Sequence, residues 1–95
     1  MLVTGQIIWK EWSVSHIGKH HITSKEVDEV FYSQTYIAQT TYKERLKLIG
    51  QTYGGRVLTI IIGRLLLDEY MVITARPASR KERKEFAIYV KNREN

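Results

Sequence analysis

The sequence predicts an α+β domain: a small antiparallel sheet with N-terminal helices and one C-terminal helix. Three observations carry this. Between residues 46 and 75, three apolar, β-branched runs follow one another with only short turns between them, and short connections make neighbouring strands antiparallel. Ahead of them, Thr23-Ser24-Lys25-Glu26 is a capping box at the head of an amphipathic segment. After them, residues 71–84 read as a strand, a proline-marked turn and the start of a helix.

Taken in order, residues 5–9 form a short apolar run suited to a first strand, and Ser13 opens a short helix over residues 14–20. The second helix begins at Thr23. Ile22 and Val27 occupy the two positions of a hydrophobic staple, while Val27, Val30 and Phe31 recur at helical spacing with Asp28 and Glu29 turned outward. This helix ends near Ser33. Residues 36–42, rich in Thr and Tyr, suggest an edge strand with one wet face, and Lys43 and Glu44 a turn. Residues 46–52 are the next strand, and Tyr53-Gly54-Gly55 is a tight turn. Within residues 56–63, the unbroken run Val57-Leu58-Thr59-Ile60-Ile61-Ile62 is that of a central strand buried on both faces. A turn around residues 65–68 leads to a last strand over residues 70–75. Pro77, which has no N–H to donate, closes the ladder.

Ser79 then caps the last helix, residues 80 to about 91, with Glu82 completing its capping box. Its first turn is unusual. Arg80, Lys81, Arg83 and Lys84 crowd an end where the helix dipole is already positive, at a usual cost of about 0.3–1 kcal/mol per charge. With Arg76, residues 76–84 hold five cations and one carboxylate. A hairpin turning near Leu66 would set Arg56 opposite Arg76, give or take a residue, with Thr52 at the same end. A solvated strand end explains either arginine singly; an anion explains the set.

Composition bounds the rest. Ninety-five residues suffice for one domain, 1–95, with one core. The formal charge is +5, and the half from residue 51 carries nine cations against five acids, which favours a polyanionic partner. There is no cysteine, hence no disulfide or thiol chemistry. No basic segment followed by a long apolar run marks a secretory signal, and no run approaches the ~20 apolar residues of a membrane helix. The protein reads as cytoplasmic, without a membrane partner.

Several residues match a known family in order and spacing: Trp9, the pair Lys19-His20, Gly50, Gly55-Arg56, and above all Thr74-Ala75-Arg76-Pro77-Ala78-Ser79-Arg80-Lys81-Glu82-Arg83. Through them the chain resembles the BrnT-type toxins, ribonucleases of bacterial type II toxin–antitoxin systems, over roughly residues 5–89. His21 stands where that family usually has glycine, and Phe86 where it commonly has tyrosine. The resemblance implies a RelE-like fold and metal-independent RNA cleavage by attack of the 2′-OH. It also implies a ribbon-helix-helix (BrnA-like) antitoxin as partner, with DNA engaged only through the complex, and no cofactor.

Such cleavage needs charge stabilisation at phosphorus and groups that move two protons. On that reading Arg56 and Arg76 fork onto phosphate oxygens, Lys19, Arg80, Arg83 and Lys84 bind phosphate, and His20 carries a proton. Ser79 and Glu82 are capping residues beside the site, though Glu82 has the chemistry of a base as well. Each has a plainer reading. His20 serves equally as a dipole-compensating residue at a helix C-terminus. His16 and His20 share a helix face, but only His21 offers a third ligand, so no metal site is assigned. Tyr36, Tyr42 and Tyr53 suit base stacking or sheet packing alike. The alternative to a ribonuclease is a non-catalytic RNA-binding module, or a degenerate toxin kept as co-repressor with its antitoxin.

Overall fold

The apolar run at residues 57–62 lies at the middle of the sheet, with Leu58, Ile60 and Ile62 buried on one face. On the other only Thr59 is buried, and Val57 and Ile61 are half-buried, so the burial on both faces expected from the run is incomplete. In the computed structural model, which describes residues 3–93, the elements are β1 (Gln6–Ile7), α1 (Glu11–Gly18), α2 (Ser24–Ser33), β2 (Tyr36–Thr40), β3 (Leu46–Gln51), β4 (Val57–Leu66), β5 (Glu69–Pro77) and α3 (Arg80–Arg93). The strand order is β1-β5-β4-β3-β2. The four longer strands are antiparallel as expected, and only the two-residue β1 joins β5 in parallel. The result is an α+β fold with a mixed five-stranded sheet.

One face of the sheet carries the main core. Leu48, Leu58, Ile60, Ile62, Val72 and Ala75 point at α1 and α2, which contribute Ile17, Val27, Val30 and Phe31. Helix α2 starts as its sequence requires: Thr23 Oγ1 accepts from the Glu26 N–H, and Glu26 accepts from the Thr23 N–H, with Ile22 and Val27 buried. On the other face α3 packs over strands β2 and β3, through Glu82 and Phe86.

Three expectations are corrected. Helix α1 begins at Glu11 rather than near Ser13: Glu11 suits the positive first turn, and Ser13 and Ile17, four apart, are both fully buried. Asp28 and Glu29 are half-buried rather than turned outward, because Asp28 accepts from the Trp9 indole at 3.0 Å and Glu29 from the Tyr53 N–H at 3.0 Å. The hairpin register also differs. Strand β4 runs on to Leu66, so that the turn falls at Leu67 and Asp68, and two irregularities interrupt the pairing. Arg76 therefore lies opposite Thr59 and not Arg56.

At Gly50, α2 presses close against the sheet. A Cβ there would stand 2.6 Å from Val30 Cγ1 and 3.2 Å from the Thr35 carbonyl oxygen. Gly50→Ala is expected to destabilise the fold by about 1–3 kcal/mol through overpacking. Gly18→Ala, where a Cβ meets nothing within 4 Å, is the control and should be neutral or slightly stabilising. Equal melting temperatures for the two variants would contradict this account of the α2 packing.

Candidate functional site

The chain between β5 and α3 is fixed by a short series of hydrogen bonds. Pro77 closes β5, and the Ala78 N–H is still bonded to the Val57 carbonyl at 2.9 Å, so the turn is tied to the central strand. Ser79 and Glu82 then cap α3 reciprocally. The Glu82 N–H donates to Ser79 Oγ at 3.1 Å, and the Ser79 N–H donates to Glu82 Oε1 at 2.8 Å.

Glu82 does more than cap. Its side chain is buried, 7% exposed, and its carboxylate also accepts from the Thr59 hydroxyl at 2.8 Å. The Arg76 guanidinium forks onto both oxygens, at 2.7 Å and 3.0 Å, and Lys47 Nζ lies 2.8 Å from Oε2. One carboxylate thus joins β3, β4, β5 and the head of α3. Arg76, then Lys47, the Ser79 N–H and the Thr59 hydroxyl, hold the Glu82 carboxyl well below the usual carboxylate range against the opposing effect of burial. Glu82 in turn holds the Arg76 guanidinium above its ordinary value. A carboxylate so placed is a poor base.

The sheet register explains why these residues meet. Ile49, Thr59 and Arg76 form one row across β3, β4 and β5, and Lys47, Ile61 and Thr74 form the next row on the same face. Arg76 remains 45% exposed and Lys47 26% exposed, so both keep a side toward solvent. Arg80, Arg83 and Lys84 are exposed on the first turn of α3. Arg83 donates to the Ala78 carbonyl at 2.8 Å, while Arg80 and Lys84 make no ion pair among the described residues.

The remaining candidates form a second group. Arg56 stands at the same end of the sheet as Arg76, next to Val57, but reaches the opposite face. There it bonds Glu26 on α2 at 3.0 Å and 3.1 Å and the His21 carbonyl at 2.9 Å. Lys19 and His20 lie just beyond α1, exposed, in the turn that leads to His21. The facing pair of arginines expected from the sequence is therefore two separate, carboxylate-paired arginines. The shift of register and the alternation of the strand cause the separation. Tyr36 belongs to the packing: it is buried, and its hydroxyl accepts from the Val3 N–H at 2.8 Å. Tyr42 and Tyr53 are exposed.

Two residues at the centre of the cluster went unnoticed in the sequence, Lys47 and Thr59. A signal existed for Thr59, the single hydroxyl in a run read as buried on both faces, where a polar group requires a partner. Lys47 reads in sequence as the wet side of an alternating strand, and nothing local distinguishes it.

Comparison with known proteins adds a structural likeness. No protein-family model and no curated protein matches the chain. Among solved structures, the crystal structure of the Brucella abortus ribonuclease toxin BrnT superposes with a TM-score of 0.65 at 25% sequence identity, covering 81% of this chain and 100% of that one. No helix among the described residues is long and apolar enough to cross a membrane.

The Glu82 cluster predicts a specific acid sensitivity. The folded state holds the Glu82 carboxyl below its ordinary value of 4.5, so the stability it contributes is complete above that pH and is lost as pH falls below it. Glu82→Gln should cost about 1–3 kcal/mol at neutral pH and flatten the loss of stability below that pH. Chemical denaturation at several pH values measures both, and parallel acid limbs in the two proteins would refute the assignment.

Proposed function

The chain shares the fold of the BrnT-type ribonuclease toxins, and on that premise we propose that it is itself a ribonuclease toxin acting on RNA without a metal ion. The observation that carries this reading is the Arg76 cluster. A guanidinium clamped by a buried carboxylate, yet half open to solvent, is a preorganised anion ligand that need not be ordered when a phosphate arrives. Arg80, Arg83 and Lys84 extend the cationic surface along the first turn of α3, where neighbouring phosphates of the same strand would lie.

In the proposed reaction the ribose 2′-oxygen attacks the adjacent phosphorus and the bond from phosphorus to the 5′-oxygen breaks. A base takes the 2′-OH proton and an acid returns one to the leaving 5′-oxygen. The products are a 2′,3′-cyclic phosphate and a 5′-hydroxyl end. Arg76 stabilises the charge that develops on the phosphoryl oxygens. His20, the proton carrier that the resemblance suggests, stands in the Arg56 group, where Arg56 pins the following carbonyl, that of His21, so this scheme gives it no step at the phosphate held by Arg76. Inhibition follows the same electrostatics: an antitoxin of the ribbon-helix-helix type would neutralise the toxin by laying carboxylates over the cationic face, and DNA would be engaged through that complex. A second reading, a non-catalytic RNA-binding module, draws on one observation: no histidine bonds to Arg76, Lys47 or Glu82 among the described residues.

Purified protein is expected to cut single-stranded RNA in the presence of a chelator and to leave 2′,3′-cyclic phosphate ends. Binding without cleavage at high protein concentration would favour the module. Arg76→Lys keeps a cation beside Glu82 but loses the fork, so cleavage should fall by about 10²–10³-fold, while the melting temperature falls only by what one lost hydrogen bond, about 0.5–1.5 kcal/mol, explains. A loss of activity that only tracks a loss of fold would assign Arg76 to structure.

A further inference from the structure

Lys47 brings a second cation to a carboxylate whose charge Arg76 already matches. Glu82 already accepts two bonds from Arg76, one from the Thr59 hydroxyl and one from the Ser79 N–H, so its charge has partners without a lysine from β3. Lys47 nevertheless lies against Oε2, the same oxygen that Arg76 touches with its second terminal nitrogen. Two cations that share one oxygen at 2.8 Å and 3.0 Å stand within about 6 Å of each other. That is the spacing of two ligands on one phosphate group. Each keeps donors in reserve, since an ammonium has three and a guanidinium five.

We infer that Lys47 is a second phosphate ligand of the site, and that Glu82 is the positioning residue that sets its distance from Arg76. The inference rests on the RNA-cleaving reading above and names the residue that shares the reacting phosphate with Arg76. The sheet supports the arrangement. Lys47 stands in the row of Gln39, Ile61 and Thr74, next to the row of Arg76, on the face that α3 only partly covers. Ile61 and Thr74 are half-buried, so the floor beside the two cations is open to a ligand. A strand of RNA resting on this floor presents its phosphate to both cations at once. The other cationic group, around Arg56, uses the opposite face and cannot take this role without leaving Glu26.

The test uses Lys47→Met, which removes the charge and keeps the apolar stem, and Lys47→Arg, which restores a cation. The probe is a single-stranded oligonucleotide with 2′-O-methyl riboses, which binds and cannot be cleaved, titrated at several salt concentrations. For a single strand each phosphate contact contributes about −0.7 to the slope of log affinity against log salt. Lys47→Met should lose about one such increment and cut normal RNA at least about tenfold more slowly, while Lys47→Arg recovers the slope. An unchanged slope and unchanged cleavage in Lys47→Met overturn the inference and leave the RNA reading standing. Failure of the wild-type protein to bind the probe overturns both. Should Lys47→Met melt too low for titration, amine acylation of the wild-type protein decides: bound oligonucleotide must protect Lys47, and equal labelling with and without it overturns the proposal.

Discussion

The buried carboxylate of Glu82 is the interaction on which the rest of this structure depends. Helix α3 brings little apolar surface to the sheet: Phe86 is its one buried hydrophobic side chain, and Ile88 is exposed. A helix so poor in packing would dock weakly by burial alone, since a fully buried side chain of that kind is worth only about 1.5–3 kcal/mol. The second anchor is polar. Its desolvation is unfavourable in isolation, and it becomes tolerable because every lone-pair direction has a donor. Removing a donor leaves the buried carboxylate under-satisfied, which is costly, so the cluster favours the one placement of the helix that supplies every donor.

The same carboxylate resolves the conflict between the cations and the helix dipole. Four basic residues in the first turn of α3 oppose the positive end of the helix, but Glu82 sits among them and accepts the Ser79 N–H as well as the Arg76 and Lys47 charges. Locally the network is one carboxylate between two cations. The excess positive charge is displaced outward onto Arg80, Arg83 and Lys84, where water or an anion meets it. A buried carboxylate inside, matched by Arg76 with Lys47 in excess, and a cationic surface outside thus meet at one side chain.

Much of the fold was legible because its signals are local. The Thr23–Glu26 and Ser79–Glu82 boxes, the run at residues 57–62 and the turn at residues 53–55 each declare themselves within a few positions. What was not legible depends on registration over longer distances. The partner of Arg76 follows from where β4 ends and from two irregularities in its pairing with β5, and neither leaves a mark near Arg56. An error of three positions exchanged both the neighbour and the face. Lys47 was missed for the same reason: its significance lies in a row of residues drawn from three strands, and its own segment looks like any half-exposed strand. Helix α1 was displaced by a weaker effect. It lacks a side-chain cap at Lys10, so the sequence offers Ser13 as a false start when Ser13 is in fact one of its buried contacts.

The sheet therefore separates two arginines that the chain order brings close. Arg56 has become a brace, bonded to Glu26 and to the backbone of the loop that carries His20 and His21. Arg76 has become a presented charge, oriented from behind by Glu82 and open in front. The two keep similar exposure, 40% for Arg56 and 45% for Arg76, and differ in what stands beside them. Glu26 is itself tied into a cap at Thr23, so Arg56 anchors one helix start, as Arg76 anchors the other through Glu82. The N-termini of α2 and α3 are each stabilised by a capping glutamate that also grips an arginine, Arg56 just before β4 and Arg76 within β5. Only at α3 does a second cation, Lys47, join the pair on a face without a full helical cover. That asymmetry distinguishes the proposed phosphate site from a structural joint of the same composition.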